Sequence, residues 1–109
     1  NFMVNHMIKK KFCHLSKLEK NAYFKCWVKD FRDEIIVFKE NDRIYAKSSI
    51  CPHFGGPITY SQNKKYLYCY WHGLEFSPEG KCINQKNFKA CLNNYDYEIK
   101  DKYIYIIGK

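Results

Sequence analysis

The stretch "CPHFGGPITYSQNKKYLYCYWHG", residues 51–73, places Cys51 two positions before His53 and Cys69 three positions before His72. Each pair leads into glycine: Gly55 and Gly56 after the first, Gly73 after the second. One Cys-x-His pair is a common accident. A second mixed pair at short range is not, because glycine lets backbone approach a bulky inorganic centre and turn N–H groups toward sulfur. Two thiols and two imidazoles on facing loops can hold metal between them. Zinc accepts such a donor set, but its usual spacing keeps like ligands together, Cys with Cys and His with His. Here each segment supplies one of each. That mixture lets two thiolates from different loops hold one iron while two imidazoles hold a second, so a binuclear iron centre is favoured and a zinc-binding module is the alternative.

The rest of the chain reads as a β scaffold. "AYFKCWV" (22–28) is aromatic and β-branched, and "EIIVF" (34–38) passes through the turn-forming "KEND" into "RIYAK", a hairpin signature. "YDYEI" and "YIYII" flank "KDK" near the end of the sequence and predict a second hairpin. Between them "YLYCYW" (66–71) and the Pro/Gly turn in "SPEGK" (77–81) predict a third strand pair. Only "HLSKLEKNA" (14–22) has a helical look, with Ser16 as its N-cap, and it is short. No repeat or linker divides the chain, and 109 residues with 46% hydrophobic content fit one domain spanning 1–109.

Composition removes several functions. The net charge of +8 is carried almost wholly by dispersed lysines, with only Arg32 and Arg43 able to make bidentate contacts. A nucleic-acid partner is therefore not expected. No apolar run approaches the roughly 18–20 residues of a membrane helix, so no membrane association is expected. "NFMVNHMIKKKF" has its basic cluster after the apolar patch, the wrong order for a secretory signal, and the Asn start leaves room for a segment ahead of it. Cys13, Cys26, Cys82 and Cys91 show no framework spacing and read as reduced thiols, which points to a reducing, cytoplasmic compartment.

Cys-x-His, an interval of fifteen residues, then Cys-x-x-His resembles the Rieske [2Fe-2S] family. The resemblance is strong over residues 51–82 and looser in the flanking strands. It implies an all-β fold of stacked antiparallel sheets with an inserted cluster-binding subdomain over about residues 48–78. It also implies a [2Fe-2S] cofactor, with Cys51 and Cys69 on the buried iron and His53 and His72 on the outer one. Electrons would enter and leave through the imidazole edges, and no bond-making residue is implied.

Departures from the family pattern bear on subtype. The Rieske proteins of cytochrome complexes carry a disulfide beside the cluster, at positions that here correspond to Gly56 and Trp71, and hydroxyl donors where this chain has Leu74 and Phe76. Losing donors that favour the reduced cluster lowers the potential. The expected function is thus one-electron transfer by a ferredoxin-type carrier between a reductase and an oxygenase or other redox partner. The alternative is the N-terminal domain of a larger non-haem iron oxygenase, with the catalytic domain fused. Such an enzyme also needs a mononuclear iron on two histidines and a carboxylate, and only His6 and His14 remain, in no such motif. A further departure is Cys91 before Leu92, where many members place proline in the loop that shields the cluster.

Overall fold

The computed structural model describes residues 7–21, 23–52, 55–61, 63–64, 66–71, 73–85 and 91–108. Nine strands, β1 (Ile8–His14), β2 (Tyr23–Val28), β3 (Asp33–Glu40), β4 (Arg43–Ser48), β5 (Ile58–Ser61), β6 (Tyr66–Cys69), β7 (Glu75–Phe76), β8 (Asp96–Lys100) and β9 (Tyr103–Gly108), form three antiparallel sheets. Their orders are β1-β9-β8, β2-β3-β4 and β5-β6-β7. Among the described residues a short α-helix, α1 (Ser16–Asn21), joins the first two sheets, and a 3-10 turn (Lys29–Phe31) joins β2 to β3.

β3 explains the stacking. Its "IIVF" run is buried on both faces: Ile35 and Val37 pack with Ile104 and Ile106 of β9, while Ile36 and Phe38 pack with Ile58, Leu67 and Phe76 of the third sheet. A strand covered on both sides needs no polar alternation, which is why the sequence there is continuously apolar. The β2-β3-β4 sheet is therefore the middle layer. Phe38 also stacks between Tyr45 and Tyr60, with ring centroids 5.1 and 4.7 Å away.

Both predicted hairpins form with two-residue turns. Asn41 and Asp42 between β3 and β4, and Asp101 and Lys102 between β8 and β9, all have positive φ. That geometry matches the right-handed twist of the flanking strands. The sequence reading does not place β1, β5 or β7. β1, "IKKKFCH", hides its apolar positions behind three lysines and pairs with β9 through a register shift between Lys11 and Cys13. The third sheet uses β5 and β7 on either side of β6, and "SPEGK" supplies only the turn after β7.

Among the described residues, Cys13, Cys26 and Cys82 carry no disulfide. Cys13 lies in the core beneath α1, and burial pushes its thiol up to about 11 against the pull of Lys17. Cys26 is exposed on β2, at the edge of its sheet. Alkylation of the native protein near neutral pH therefore labels Cys26 while leaving Cys13 unmodified, since the thiolate is the reactive form. Peptide mapping that finds Cys13 modified as fast as Cys26 would contradict this burial.

Candidate metal centre

The third sheet ends in two loops of the same design. In the first, the Cys51 N–H donates to the Gly56 carbonyl (2.7 Å) and the Gly55 N–H donates back to the Cys51 carbonyl (2.8 Å). In the second, the Cys69 N–H donates to the Leu74 carbonyl (2.8 Å) and the Gly73 N–H to the Cys69 carbonyl (3.0 Å). Each cysteine thus bonds its fourth and fifth successors, and each loop turns on a glycine at positive φ, +75° at Gly55 and +67° at Gly73. Among the described residues a Cβ at either glycine would meet no atom within 4 Å. Within the protein their requirement is conformational, since the turn itself demands positive φ.

Clearance belongs to Gly56. A Cβ there would lie 2.9 Å from the Cys69 sulfur and 3.1 Å from the Trp71 ring. The loops are neighbours because Ile58 of β5 pairs with Cys69 of β6, Ile50 bridges Pro57, and the Tyr70 N–H donates to the Pro57 carbonyl. Cys51 and Cys69 are 1% and 0% exposed and share one apolar cluster with Leu74, Phe76 and Leu92. Gly56→Ala forces the Cys69 sulfur or Trp71 to move, and overpacking of this kind costs about 1–3 kcal/mol. The expected result is a lowered melting temperature and a lowered iron content per chain; full wild-type iron would show that the second loop yields without loss.

His53 and His72 lie outside the described residues. Their places are the third position of loop 51–56 and the fourth of loop 69–74. Among the described residues no group of three or more His, Cys, Asp and Glu could hold a metal. His14 stands apart from both loops, its ring hydrogen-bonded to Ser16 and set edge-on to Tyr103.

The loops rest on the middle sheet through buried polar groups. The Ser49 hydroxyl, fully buried, donates to the Glu34 carboxylate (2.8 Å), and the Ser49 N–H to the Glu34 carbonyl (2.7 Å). Lys25 donates to the Ile58 carbonyl (2.8 Å). The Ser48 hydroxyl donates to Asp33 (2.8 Å). Buried Lys47 donates to the Glu79 carbonyl (3.1 Å) and to Asn94 (2.8 Å), tying the turn after β7 to the segment that follows Leu92; burial holds its amine below the ordinary lysine range.

Sequence reasoning missed Asn84. Its amide donates to the Gly73 carbonyl (2.7 Å) and its carbonyl oxygen accepts the Glu75 N–H (2.9 Å), so one side chain straps the second loop on both sides of Leu74. An asparagine in "KCINQKN" carries no local signal for a partner roughly ten residues earlier. Leu92 is buried against Gly80, and its N–H donates to the Gly80 carbonyl (3.0 Å), while Cys91 is exposed. Burial of Leu92 beside the cysteines is therefore independent of the missing proline.

Trp71 packs one edge on Gly56 yet is 64% exposed, and Tyr70 beside it is 65% exposed. Both packing and an outward apolar face are present at Trp71. Tyr70 meets Tyr68 edge-on at 5.2 Å.

Comparison with known proteins agrees with the fold. Residues 9–96 match the Rieske [2Fe-2S] domain family. The menaquinol:cytochrome c reductase iron-sulfur subunit of Bacillus subtilis (strain 168) is 30% identical over 73 residues, which is 64% of this chain and 44% of that protein, so the chain spans less than half of this relative. A plasma membrane Rieske protein of Synechocystis PCC 6803 superposes with a TM-score of 0.76 at 18% identity, covering 88% of this chain and 96% of that one. The ferredoxin of carbazole 1,9a-dioxygenase from Nocardioides aromaticivorans gives 0.71 at 19% identity, with coverage of 90% and 95%. No helix among the described residues is long and apolar enough to cross a membrane. With a plasma membrane protein among its neighbours, the fold does not support the expected absence of a membrane.

Proposed function

This chain belongs to the Rieske [2Fe-2S] domain family, a family of electron carriers, and on that premise we propose that it is a low-potential, ferredoxin-type carrier. In this reading Cys51 and Cys69 hold the buried iron and His53 and His72 the outer one. The buried, paired cysteine loops fit the thiolate half of such a centre: two sulfurs in an apolar layer, each presented by a hydrogen-bonded turn. The bound cluster supplies one-electron redox chemistry. The chain's own residues fix the loops, exclude water through Leu74, Phe76 and Leu92, and offer Tyr70 and Trp71 at the surface.

Gly56 is the observation that carries the subtype. Neither Gly56 nor Trp71 is cysteine, and the Trp71 ring and Cys69 sulfur fill the Cβ direction of Gly56, so the bridging disulfide of the cytochrome-complex proteins cannot form here. Apolar Leu74 and Phe76 support the same reading. The partners would be a reductase and an oxygenase or other redox protein, in a reducing compartment of the cytoplasmic kind. Ascorbate and dithionite added in turn test the proposal. Dithionite bleaches the brown oxidised protein and ascorbate does not; bleaching by ascorbate would place the chain with the quinol-oxidising relatives instead.

A further inference from the structure

Two segments that flank the cysteine loops converge on one buried carboxylate. Asp33, at the start of β3, is 8% exposed. One oxygen accepts the Ser48 hydroxyl (2.8 Å) and the other the Tyr95 hydroxyl (2.6 Å). Ser48 in turn accepts the Ile50 N–H (3.3 Å), one residue before Cys51. Tyr95 stands three residues after Leu92, in a segment pinned to β4 by the Ser48 N–H to the Asn93 carbonyl and the Tyr95 N–H to the Ala46 carbonyl, both 2.9 Å. One carboxylate thereby joins the entry of the first loop to the exit of the segment that covers the cysteines.

Its surroundings are unusual for a buried acid. Among the described residues none of the ion pairs includes Asp33, whose two oxygens are held by hydroxyls, while Arg32 lines the same cleft. Burial, with the hydrogen bond to Asp33 second, raises the Tyr95 hydroxyl far above the usual tyrosine range and keeps it a donor. A cleft of about 370 Å³ is lined by Arg32, Asp33, Ser48 and Tyr95 as well as by Ile50 and Cys51 of the first loop.

We propose that Asp33 is a positioning residue for the redox centre, fixing the Cys51 loop through Ser48 while its negative charge holds the centre's reduction potential down. This rests on the assignment of Cys51 as a ligand. Reduction adds one electron to the centre, and a like charge at Asp33 disfavours the added electron. The hydroxyls of Tyr95 and Ser48 offset part of that field.

Isosteric variants of the loaded protein, read by protein-film voltammetry, separate charge from structure. Asp33→Asn removes the charge and raises the potential. Tyr95→Phe keeps the charge, removes one offsetting dipole and lowers the potential. Opposite shifts support the proposal; shifts of the same sign, or no shift in Asp33→Asn, overturn it. If Asp33→Asn does not load, Ser48→Ala carries the test: the charge stays, a donor is lost, the potential falls, and an unchanged value overturns the proposal. Cys51→Ala in the same series reads the assignment beneath it. Wild-type iron and sulfide in that variant defeat the ligand assignment and this proposal together, whereas loss of both with an unmoved Asp33→Asn potential defeats this proposal alone.

Discussion

Cys69→Ala and Cys51→Ala each yield a colourless protein that has lost both iron and acid-labile sulfide but keeps its strands. The two halves of this result have separate causes. Binding fails because a proposed thiolate ligand is removed: Leu74, Phe76 and Leu92 in the same layer are hydrocarbon, and Cys82, packed against that layer, is engaged with the Asn84 side chain. The fold survives because each loop is closed by backbone hydrogen bonds that use no cysteine side chain, and because β3 supplies the core for both faces. Removing one small buried side chain costs a few kcal/mol at most. His72→Cys, by contrast, keeps colour and changes the reduced-state resonance signal, while Cys82→Ser leaves it as it was. Metal analysis of the wild-type chain should give two irons and two sulfides, as a binuclear cluster demands. One zinc without sulfide would return the site to the zinc alternative.

How far the sequence was legible follows physical lines. The hairpin 33–48 was readable because both its parts are local: a doubly buried strand must be apolar throughout, and Asn41-Asp42 suits positive φ. That Cys51 and Cys69 fall on two similar facing loops was readable because each opens a short segment that ends in glycine. β1 was not, since its partner β9 lies at the other end of the chain and only pairing reveals the strand in "IKKKFCH". The supporting polar groups were equally hidden. Asn84, Ser49 and Asp33 act through partners distant in sequence, and nothing local distinguishes them from surface residues. Gly56 shows the same limit in a glycine. Its neighbours in the motif predict a turn, but that the Cys69 sulfur occupies its Cβ direction is a fact of packing between loops.

Leu74→Ser combined with Phe76→Tyr raises the reduction potential. Leu74 and Phe76 are buried in the layer that holds both cysteines, and the Leu74 carbonyl already accepts the Cys69 N–H, so a side chain at either position is within the immediate environment of the sulfurs. A hydroxyl there has a charged acceptor to bond and little else. Such bonds are worth roughly 1.5–3 kcal/mol, and about 59 mV of one-electron potential corresponds to a tenfold change in equilibrium. The oxidised centre accepts the same bonds more weakly, so only the difference appears, on the order of 100 mV for the pair. The starting value should lie near the low end of the Rieske range, about −150 mV against an upper limit near +300 mV. It should also be nearly flat around neutral pH, because electron density left on the sulfurs makes the ligating imidazoles more basic and moves their deprotonation to alkaline pH. Stability falls at the same time, since truncating a buried leucine costs about 2–5 kcal/mol, and a lower melting temperature with a higher potential is the joint signature. A wild-type value above about +100 mV, in the upper part of that range, would mean that the backbone donors and burial of these loops set the potential without the two side chains, and the ferredoxin-type reading would fall with it.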